Sequence, residues 1–480
     1  MKDIIEQFIQ ICGSAHVIIR EEDRLKYASD YTENLVFMPE LVVIPGNVDE
    51  ISAVMKLCHQ YDITVTPRGA GTGLSGGSLP VKGGIVLSTE RLNKILDIDQ
   101  ENFQATVEPG VINEVFRNAV EAEGLFYPPD PASKGSCFLG GNIAHNSGGP
   151  KAVKYGVTRD YVLNLEVVLP DGTILWTGSD TLKNSTGYAL THLFIGSEGT
   201  LGIVTKIVFR LIAKPPHDLL LLASFSDALA ACRTVSAVFL KGVVPSAVEL
   251  MEKSAMQLSA HYLNESFDFS ESAQAYLLIE VDGFDPDKLM DDCAKISDVL
   301  DAFGAEEVLF ADTAAQKEKL WKIRRAIGEK VKAHSIYKEE DTVVKRAFLP
   351  ELLSGVKEIG SKYGFESICY GHAGDGNLHV NIIKKDMPEE LWNGPHLKEG
   401  IREIFRLCRK LGGTISGEHG IGYVQKEYMD EAFSVGHLHL MQSIKKVFDP
   451  KGILNPGKMF DVFEVWKHRR IDVKFPWDHK

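Results

Sequence analysis

The segment at residues 67–77 reads PRGAGTGLSGG and directly follows a predicted strand, Ile63–Thr66. Its glycines formally satisfy G-x-G-x-x-G, the pattern of a dinucleotide-binding turn, but that turn requires a helix to begin immediately afterwards. Pro80, Gly83 and Gly84 forbid such a helix. What remains is a loop whose backbone N–H groups can approach an anionic diphosphate, because glycines carry no Cβ to shield them.

Two further segments share this glycine-rich texture. They read GGNIAHNSGG at residues 140–149 and GSEGTLG at residues 196–202. Each of the three segments taken alone is explained equally well as a ligand-binding loop or as a tight turn where strands pack closely. Taken together, three such loops favour one long nucleotide ligand that all of them contact.

The composition excludes several classes of protein. The chain has 480 residues, of which 44% are hydrophobic and 25% charged, so it has material for roughly two to four globular domains. Its net charge of −14 argues against nucleic acid as the main ligand. The seven cysteines are scattered without a metal or disulfide spacing, which favours reduced thiols in the cytosol. Neither a signal peptide nor a membrane-spanning run is expected.

Periodicity and glycine density predict two α+β regions. The first contains a helix from Val48, strands Ile85–Ser88, Gln104–Val107 and Ile203–Leu211, helix Asn113–Glu123, and a hairpin of Leu165–Leu169 and Thr173–Trp176. Lys214-Pro215-Pro216 then stiffens the chain and indicates a domain junction. The second region alternates helices (Ala228–Phe239, Asp287–Phe303, Gln316–Lys332, Leu352–Tyr363, Leu397–Leu411) with strands (Tyr276–Val281, Glu307–Phe310, Ser367–Tyr370, Leu378–Ile383).

A histidine and carboxylate constellation lies in the second region. Alternation along the strand after the turn at residues 371–377 places His379 and Asn381 on one face, where His372 can converge with them. Glu418 and His419 follow about 40 residues later. Two histidines and a glutamate make a plausible open metal site, with the other histidine as a base. The alternative is that these histidines satisfy turns and core carbonyls, and spacing alone does not decide between the two.

Several motifs in order resemble one known family. The strings are residues 67–77, 128–131 (PPDP), 140–149, 155–160 (YGVTRD) and 195–202 (IGSEGTLG). They are similar to the FAD-binding domain of the vanillyl-alcohol-oxidase superfamily. Within it, the chain resembles the FAD-linked 2-hydroxyacid dehydrogenase family, the group of glycolate oxidase FAD subunits, D-lactate dehydrogenases and D-2-hydroxyglutarate dehydrogenases. The resemblance extends from about Tyr31 to Lys458.

The resemblance implies an α+β fold with a two-subdomain PCMH-type FAD-binding domain, an α+β substrate (cap) domain, and a C-terminal segment that returns to the FAD domain. The corresponding boundaries are residues 1–215 with a helical lead-in at 1–40, residues 216–440 with the metal site, residues 441–460, and a tail at 461–480. The tail is basic and contains Trp466 and Trp477. It is expected to be disordered, with docking to a partner or an anionic membrane surface as the alternative.

The resemblance also implies the cofactor site. The pyrophosphate of FAD would contact Arg68, Gly69, Ala70, Gly71, Thr72, Gly73 and Gly76. The rest of the cofactor would contact Pro131, Ser133, Gly141, Asn142, Asn146, Ser147, Gly148, Glu198, Gly202, Ile203 and Asn455. Because no histidine stands in the first loop, we expect noncovalent FAD, with Cys137 and His145 as the nearby residues that could carry a covalent link.

The same resemblance assigns roles around the substrate. His372, His379 and Glu418 would bind a divalent metal such as Zn, Mn or Fe, and His419 would be the catalytic base. Arg324, Lys338 and Asn381 would bind the substrate, and a guanidinium suits a carboxylate. Gly328 stands where hydroxyglutarate enzymes have a hydroxyl-bearing residue, so D-lactate or glycolate is favoured over D-2-hydroxyglutarate.

The predicted function is oxidation of a D-2-hydroxyacid to the 2-oxoacid by hydride transfer to flavin N5, and the electrons pass to a separate acceptor. This acceptor could be an iron–sulfur subunit, an electron-transfer flavoprotein, a cytochrome or a quinone. We expect a homodimer or a subunit of a complex, in the cytoplasm or peripheral to the inner membrane face. Two other classes remain: a flavin-free metallohydrolase, and a noncatalytic FAD-carrying electron-transfer subunit.

Overall fold

The computed structural model describes residues 2–460, and the contacts within the chain divide it into two compact units. The first unit comprises residues 2–147, 157–214 and 418–460; the second comprises residues 148–156 and 215–417. The chain therefore rejoins the first unit at residue 418, whereas the sequence analysis placed this return at residue 441. The predicted tail lies outside the described residues. Within residues 2–460, no helix combines the length and the apolarity that crossing a membrane requires.

The helices are, in chain order, α1 (Lys2–Cys12), α2 (Glu21–Arg24), α3 (Val48–Tyr61), α4 (Asn113–Ala122), α5 (Leu139–His145), α6 (Ala152–Tyr155), α7 (Leu190–Phe194), α8 (Ala228–Leu240), α9 (Lys253–Tyr262), α10 (Pro286–Ala302), α11 (Ala314–His334), α12 (Leu349–Tyr363), α13 (Glu389–Trp392), α14 (Pro395–Lys410), α15 (Met429–Ala432) and α16 (Val435–Phe448). The strands are β1 (Val17–Ile18), β2 (Leu41–Val43), β3 (Val65–Arg68), β4 (Ile85–Ser88), β5 (Ile95–Asp99), β6 (Gln104–Val107), β7 (Leu125–Phe126), β8 (Val162–Val168), β9 (Ile174–Trp176), β10 (Ile203–Arg210), β11 (Ile212–Ala213), β12 (His217–Phe225), β13 (Ala247–Glu252), β14 (Ala275–Gly283), β15 (Ala305–Ala311), β16 (Tyr337–Val343), β17 (Glu366–His372) and β18 (Asn377–Ile383).

The first unit contains two main sheets. In the four-stranded sheet β1-β2-β4-β3, the three neighbours β2, β4 and β3 are parallel and β1 is antiparallel. Helix α3 begins at the N-cap Asn47, whose side chain accepts the N–H of Glu50 at 2.9 Å. Its apolar stripe, Ile51, Val54 and Met55, is fully buried. The stripe joins a core that also contains strands β2, β3 and β4, so the predicted glycine loop starts from a rigid strand end.

The second sheet of the first unit is antiparallel, with the order β5-β6-β10-β8-β9, so β10 lies between β6 and β8. The predicted hairpin is present as β8 and β9, and its turn includes Gly172 at φ +86°. A Cβ at this position would approach the carbonyl oxygen of Ser52 to 2.7 Å, so only glycine fits. Strands β4 and β6 have their predicted bounds, whereas residues 139–145, expected as part of a loop, form helix α5.

The second unit is built on one antiparallel sheet of order β15-β12-β14-β13-β17-β18-β16. Helices α9 and α11 pack together over it, and Trp321, Ile323 and Ile327 enter a shared core. Helix α11 begins at a capping box in which Thr313 and Gln316 satisfy each other's backbone N–H groups. This sheet therefore holds the strand pair β17–β18 at its interior and positions α11 beside it.

A short segment distant in sequence completes the second unit. Residues 148–156 include α6, and Lys151 forms an ion pair with Glu280 of β14. Lys154 Nζ lies 2.5 Å from Asp282 Oδ1, and the Tyr155 hydroxyl donates to the same carboxylate at 2.8 Å. Both carboxylates are buried, so they depend on these cations for compensation of their charge.

The fold prediction is confirmed, since the structure is a mixed helix and sheet arrangement with the expected C-terminal return. The boundaries of the functional domains remain predictions.

Candidate active site

The predicted phosphate loop follows β3 directly. Gly71 and Gly76 have φ of +74° and +71°, a region that L-residues rarely adopt. A Cβ on Gly71 would collide with the guanidinium of Arg68. That guanidinium is buried and donates from Nη2 to the carbonyl oxygen of Ser29 at 2.8 Å. The conformation of the first loop therefore requires glycine at position 71, and the Arg68 side chain links the start of the loop to the N-terminal segment by its hydrogen bond to Ser29.

The second predicted loop is the C-terminal end of α5 and the residues after it. Asn146 terminates the helix in a left-handed conformation with φ +52°. The preceding residue, His145, has a buried Nδ1 without a hydrogen-bond partner within residues 2–460. Its ring also lies near Gly77, where a Cβ would come within 3.3 Å of Cε1. A buried imidazole nitrogen without a partner, beside a glycine loop, is chemically suited to a polar ligand such as a flavin dinucleotide.

The third predicted loop is organised by Glu198. This buried residue has φ +52°, and its carboxylate accepts the N–H groups of Ile421 at 2.7 Å and Gly422 at 2.6 Å. Its carbonyl oxygen accepts from Nδ2 of Asn455 at 2.8 Å, and the same amide donates to Gly77 at 3.0 Å. Glu198 and Asn455 thus tie the glycine segments to the returning C-terminal chain.

The predicted base, His419, is carried by the first unit. Its carbonyl oxygen accepts a hydrogen bond from Ser75 Oγ at 3.1 Å, and Ser75 belongs to the glycine loop. The carbonyl oxygen of Ser75 in turn accepts the N–H of Tyr423 at 2.7 Å. Gly420 and Gly422 have positive φ, which lets the chain turn tightly after His419. The loop predicted for phosphate and the segment predicted for the base are therefore one hydrogen-bonded assembly.

The paired histidines lie in the second unit, on β17 and β18. The ring centroids of His372 and His379 are 5.4 Å apart and their planes are nearly perpendicular at 84°. A ring nitrogen of each lies within 4.8 Å of one on the other. His372 Nδ1 is 2.8 Å from the carboxylate of Glu249 on β13, and both side chains are buried. An imidazole held through one nitrogen by a carboxylate is the arrangement that metal-binding histidines commonly have.

Arg324 shares the carboxylate of Glu249. The guanidinium forms a buried ion pair with it and lies 5.3 Å from the ring centroid of Tyr370. Burial alone would raise the pKa of Glu249, but Arg324 and His372 outweigh burial and lower it. Arg324 is only 5% exposed, and its Nε has no hydrogen-bond partner among the described residues. One donor of this arginine is thus held in a buried position where an anion could accept from it.

Asn381 lies on the same sheet face as His379. The side chain is fully buried, and neither amide atom has a partner of good geometry within the described chain. In the register, Asn381 is opposite Glu339 of β16, and His379 is opposite both Asp341 and Tyr370. Burial raises the pKa of Tyr370 well above its ordinary value, so the phenol stays protonated.

Lys338 does not join this group. The register pairs it with Ile382, which places it on the opposite face of the sheet from Asn381 and His379. There its ammonium donates to the carbonyl oxygen of Trp392 at 3.2 Å and lies 5.3 Å from that residue's ring centroid. The structure therefore contradicts the expected proximity of Lys338 to the site, because side chains alternate along a strand and Glu339 occupies the site face.

Two sequence models match most of the chain. The FAD binding domain matches residues 39–178, and the C-terminal domain of FAD linked oxidases matches residues 214–459. The chain belongs to the FAD-linked oxidase family. The family resemblance, the FAD prediction and the oxidoreductase prediction are thereby confirmed.

Curated relatives of this FAD-linked oxidase cover nearly its whole length. The glycolate oxidase subunit GlcD of Bacillus subtilis is 40% identical over 96% of the chain and 97% of the relative. The D-lactate dehydrogenase of Archaeoglobus fulgidus is 40% identical over 87% of the chain and 91% of the relative. The D-2-hydroxyglutarate dehydrogenase of Xanthomonas citri pv. viticola is 35% identical over 92% of the chain and 93% of the relative.

Solved structures share the fold of this FAD-linked oxidase. p-Cresol methylhydroxylase superposes with a TM-score of 0.78 at 18% identity, covering 96% of this chain and 97% of that one. 4-Ethylphenol oxidase from Gulosibacter chungangensis superposes with a TM-score of 0.73 at 19% identity, covering 96% of this chain and 97% of that one. At these identities the likeness shows the fold alone.

The structure adds residues that the sequence analysis of this FAD-linked oxidase missed. Glu249 and Tyr370 contact the predicted site residues directly, and Lys458 is a fully buried cation beside Asn455. Lys458 Nζ donates to that side chain at 3.1 Å, and burial lowers its pKa to about 7. A glutamate in the apolar strand sequence AVELME was a signal for Glu249, since a carboxylate in a buried strand requires a partner.

Proposed function

We propose that this FAD-linked oxidase oxidises a D-2-hydroxyacid to the 2-oxoacid, with D-lactate or glycolate as the favoured substrate. The observation that carries the proposal is buried Arg324, whose Nε has no partner in the described chain, on the same unit as Asn381 and the two histidines. A buried guanidinium donor is matched to a carboxylate, and the relatives include a glycolate oxidase subunit and a D-lactate dehydrogenase.

The substrate carboxylate would accept from Arg324. Glu249 forms a buried ion pair with the guanidinium, which would hold the Nε donor in place for the substrate. The Asn381 amide offers a donor and an acceptor for the substrate's oxygens, because neither of its atoms is committed within the described residues. These residues bind and orient the substrate.

The proton and the hydride leave the substrate by separate routes. His419 would accept the hydroxyl proton, since its backbone is fixed by Ser75 of the glycine loop. FAD, when bound, supplies the electron sink by accepting the C2 hydride at N5. The glycine loops and His145 would hold the cofactor, and we propose that this binding is noncovalent. Cys137 is buried and its thiol contacts Asn142, consistent with a structural thiol.

A divalent metal remains part of the proposal. His372 and His379 provide a converging nitrogen pair, and the Glu249 carboxylate on His372 fits the chemistry of a metal-binding imidazole. Glu418, the third predicted ligand, belongs to the first unit. A bound metal such as Zn, Mn or Fe would lower the pKa of a coordinated hydroxyl group.

The electrons would pass to a separate acceptor. The Bacillus subtilis relative is named as a subunit of glycolate oxidase, which supports a place for this chain as the FAD subunit of a complex. An iron–sulfur subunit, an electron-transfer flavoprotein, a cytochrome or a quinone would each serve chemically. The alternative substrate, D-2-hydroxyglutarate, is supported by a relative of that name.

The test is the anaerobic visible spectrum of the metal-replete, FAD-loaded protein with D-lactate, glycolate and D-2-hydroxyglutarate, and with L-lactate as the control. Bleaching by a D-acid or by achiral glycolate, without bleaching by L-lactate, supports the proposal. A flavin that none of these acids reduces contradicts it. His419→Asn should slow flavin reduction by at least about a hundredfold while changing substrate affinity little; reduction at the wild-type rate would refute the role of His419.

A further inference from the structure

One face of helix α11 carries three residues at helical spacing: Arg324, Gly328 and Lys332. Each of them meets the sheet of the second unit. Arg324 pairs with Glu249, and a Cβ on Gly328 would lie 3.0 Å from the Tyr370 hydroxyl. Lys332 Nζ is 3.3 Å from Glu339 Oε2. The stripe therefore holds two cations two turns apart, with no side chain between them.

Glu339 lies on the same face of the sheet as Asn381 and His379. It is opposite Asn381 in the register, and one of its carboxylate oxygens is within 4.8 Å of a ring nitrogen of His379. The Tyr370 hydroxyl is 3.5 Å from its Oε1. The side chain is only 7% exposed. Glu339 is thus a nearly buried carboxylate beside the residues proposed to bind the substrate.

The two cations of the stripe are not equivalent toward an anion. Arg324 pairs with Glu249 and still has Nε without a partner, so it can take one substrate carboxylate. Lys332 has a compact ammonium that already pairs with Glu339. A second substrate carboxylate near Lys332 would compete with Glu339 for that ammonium and would meet a like charge in a poorly solvated place.

We propose that Glu339, by forming an ion pair with the Lys332 ammonium, makes this site select 2-hydroxyacids that carry a single carboxylate. The inference rests on the proposed function and deepens it by naming the substrate class. Gly328 contributes because a side chain at this position would crowd the Tyr370 hydroxyl, which lies 3.5 Å from Glu339 Oε1. Glu339 is a specificity-determining residue in this scheme, and it takes no part in proton or hydride transfer.

The first test is stopped-flow flavin reduction of the holoenzyme under anaerobic conditions with D-lactate and D-2-hydroxyglutarate. The measured quantity is the ratio of the second-order reduction constants, hydroxyglutarate over lactate. Glu339→Gln is expected to raise this ratio at least about tenfold, because Lys332 becomes available to the second carboxylate. The matched control is Glu340→Gln, the same change one residue on, at a position that faces the other side of β16. We expect this control to change the ratio less than about twofold.

A double variant separates the charge effect from a general disturbance of the pocket. In Glu339→Gln/Lys332→Met the ratio should return to within about threefold of the wild type, because the ammonium that attracts the second carboxylate is gone. The gain in Glu339→Gln should also shrink as salt is raised. An unchanged ratio in Glu339→Gln, or a gain that survives removal of Lys332, would overturn the inference.

Binding of non-reacting acids tests Glu339 independently of catalysis. Calorimetry on the holoenzyme gives Kd for glutarate and for butyrate, which differ by one carboxylate. Glu339→Gln should tighten glutarate at least about tenfold relative to butyrate. If no hydroxyacid reduces the flavin but this binding shift is seen, the proposed reaction fails while the role of Glu339 stands. If hydroxyacids reduce the flavin and the binding shift is absent, the role of Glu339 fails alone. If neither acid binds to any variant, the inference fails.

Discussion

Replacing Glu249 by glutamine should destabilise the second unit strongly. Glu249 is fully buried and its carboxylate contacts two groups, the Arg324 guanidinium and His372 Nδ1 at 2.8 Å. Glutamine has the same shape but no charge, so Arg324 would remain buried without its counter-ion. Breaking a buried ion pair in this way costs about 3–5 kcal/mol. In a unit of about 210 residues, that corresponds to a fall in Tm of about 6–20 °C.

Urea denaturation and thermal unfolding at pH 7.5, followed by circular dichroism, measure this loss. Glu307→Gln, on an exposed position of β15, is the control and should change stability by less than about 0.5 kcal/mol. A second variant, Glu249→Gln/Arg324→Met, removes both charges and should recover a large part of the loss. A loss below about 1 kcal/mol in Glu249→Gln, or no recovery in the double variant, would refute the reasoning that charge compensation holds this site.

Three other perturbations follow from the buried groups. Lys445→Met should cost about 3–5 kcal/mol of stability, because buried Lys445 Nζ binds Asp449 at 2.6 Å and two backbone carbonyl oxygens. The control in the same unfolding assay is Lys446→Met, at an exposed position. Equal losses of stability in the two variants would contradict the prediction. Gly71→Ala should weaken FAD binding at least about tenfold, because Gly71 has a positive φ and a Cβ there would collide with Arg68. Fluorescence titration of the apoprotein with FAD measures the affinity. The control, Gly436→Ala, lies at a position with φ below zero and open surroundings and should leave FAD affinity unchanged. The cysteines are buried, and burial raises the pKa of Cys369 and Cys408 to about 12; a thiol reagent at pH 8 should therefore label the native protein slowly and all seven cysteines after unfolding. Since these pKa values are raised in the folded state, stability should fall as pH rises from about 9 towards 12, and a flat stability profile over that range would contradict the assignment.

The sequence predicted those elements whose local pattern agrees with their tertiary setting. Strand Ile85–Ser88 is present with the predicted bounds because a short apolar run directly after two glycines has few alternatives. The segment at residues 139–145 was different. Two adjacent glycines disfavour a helix, yet Gly140 packs so closely on Pro109 that a Cβ would lie 2.6 Å from its Cβ. Close packing with a distant residue therefore overrides the local propensity, and no local pattern reports it.

The site could be predicted in part for a similar reason. Alternation correctly placed His379 and Asn381 on one face, because the period of a strand is fixed. A shift of one residue was enough to misplace Lys338, since it exchanges one face for the other. Glu249 was missed because its role depends on β13 pairing with β17, a contact between residues more than 100 positions apart. Such contacts are set by the topology of the sheet and not by spacing along the chain.

The ion pairs of residues 148–156 limit how this chain can be divided. A fragment cut at the proline junction, residues 215–417, would contain Glu280 and Asp282 but not Lys151 and Lys154. Two buried carboxylates would then lose their cations, so the fragment would be a poor candidate for separate expression. Any chimera that exchanges the second unit with that of a relative must therefore transplant the nine-residue segment together with its acceptor strand, or rebuild both sides of the pairs.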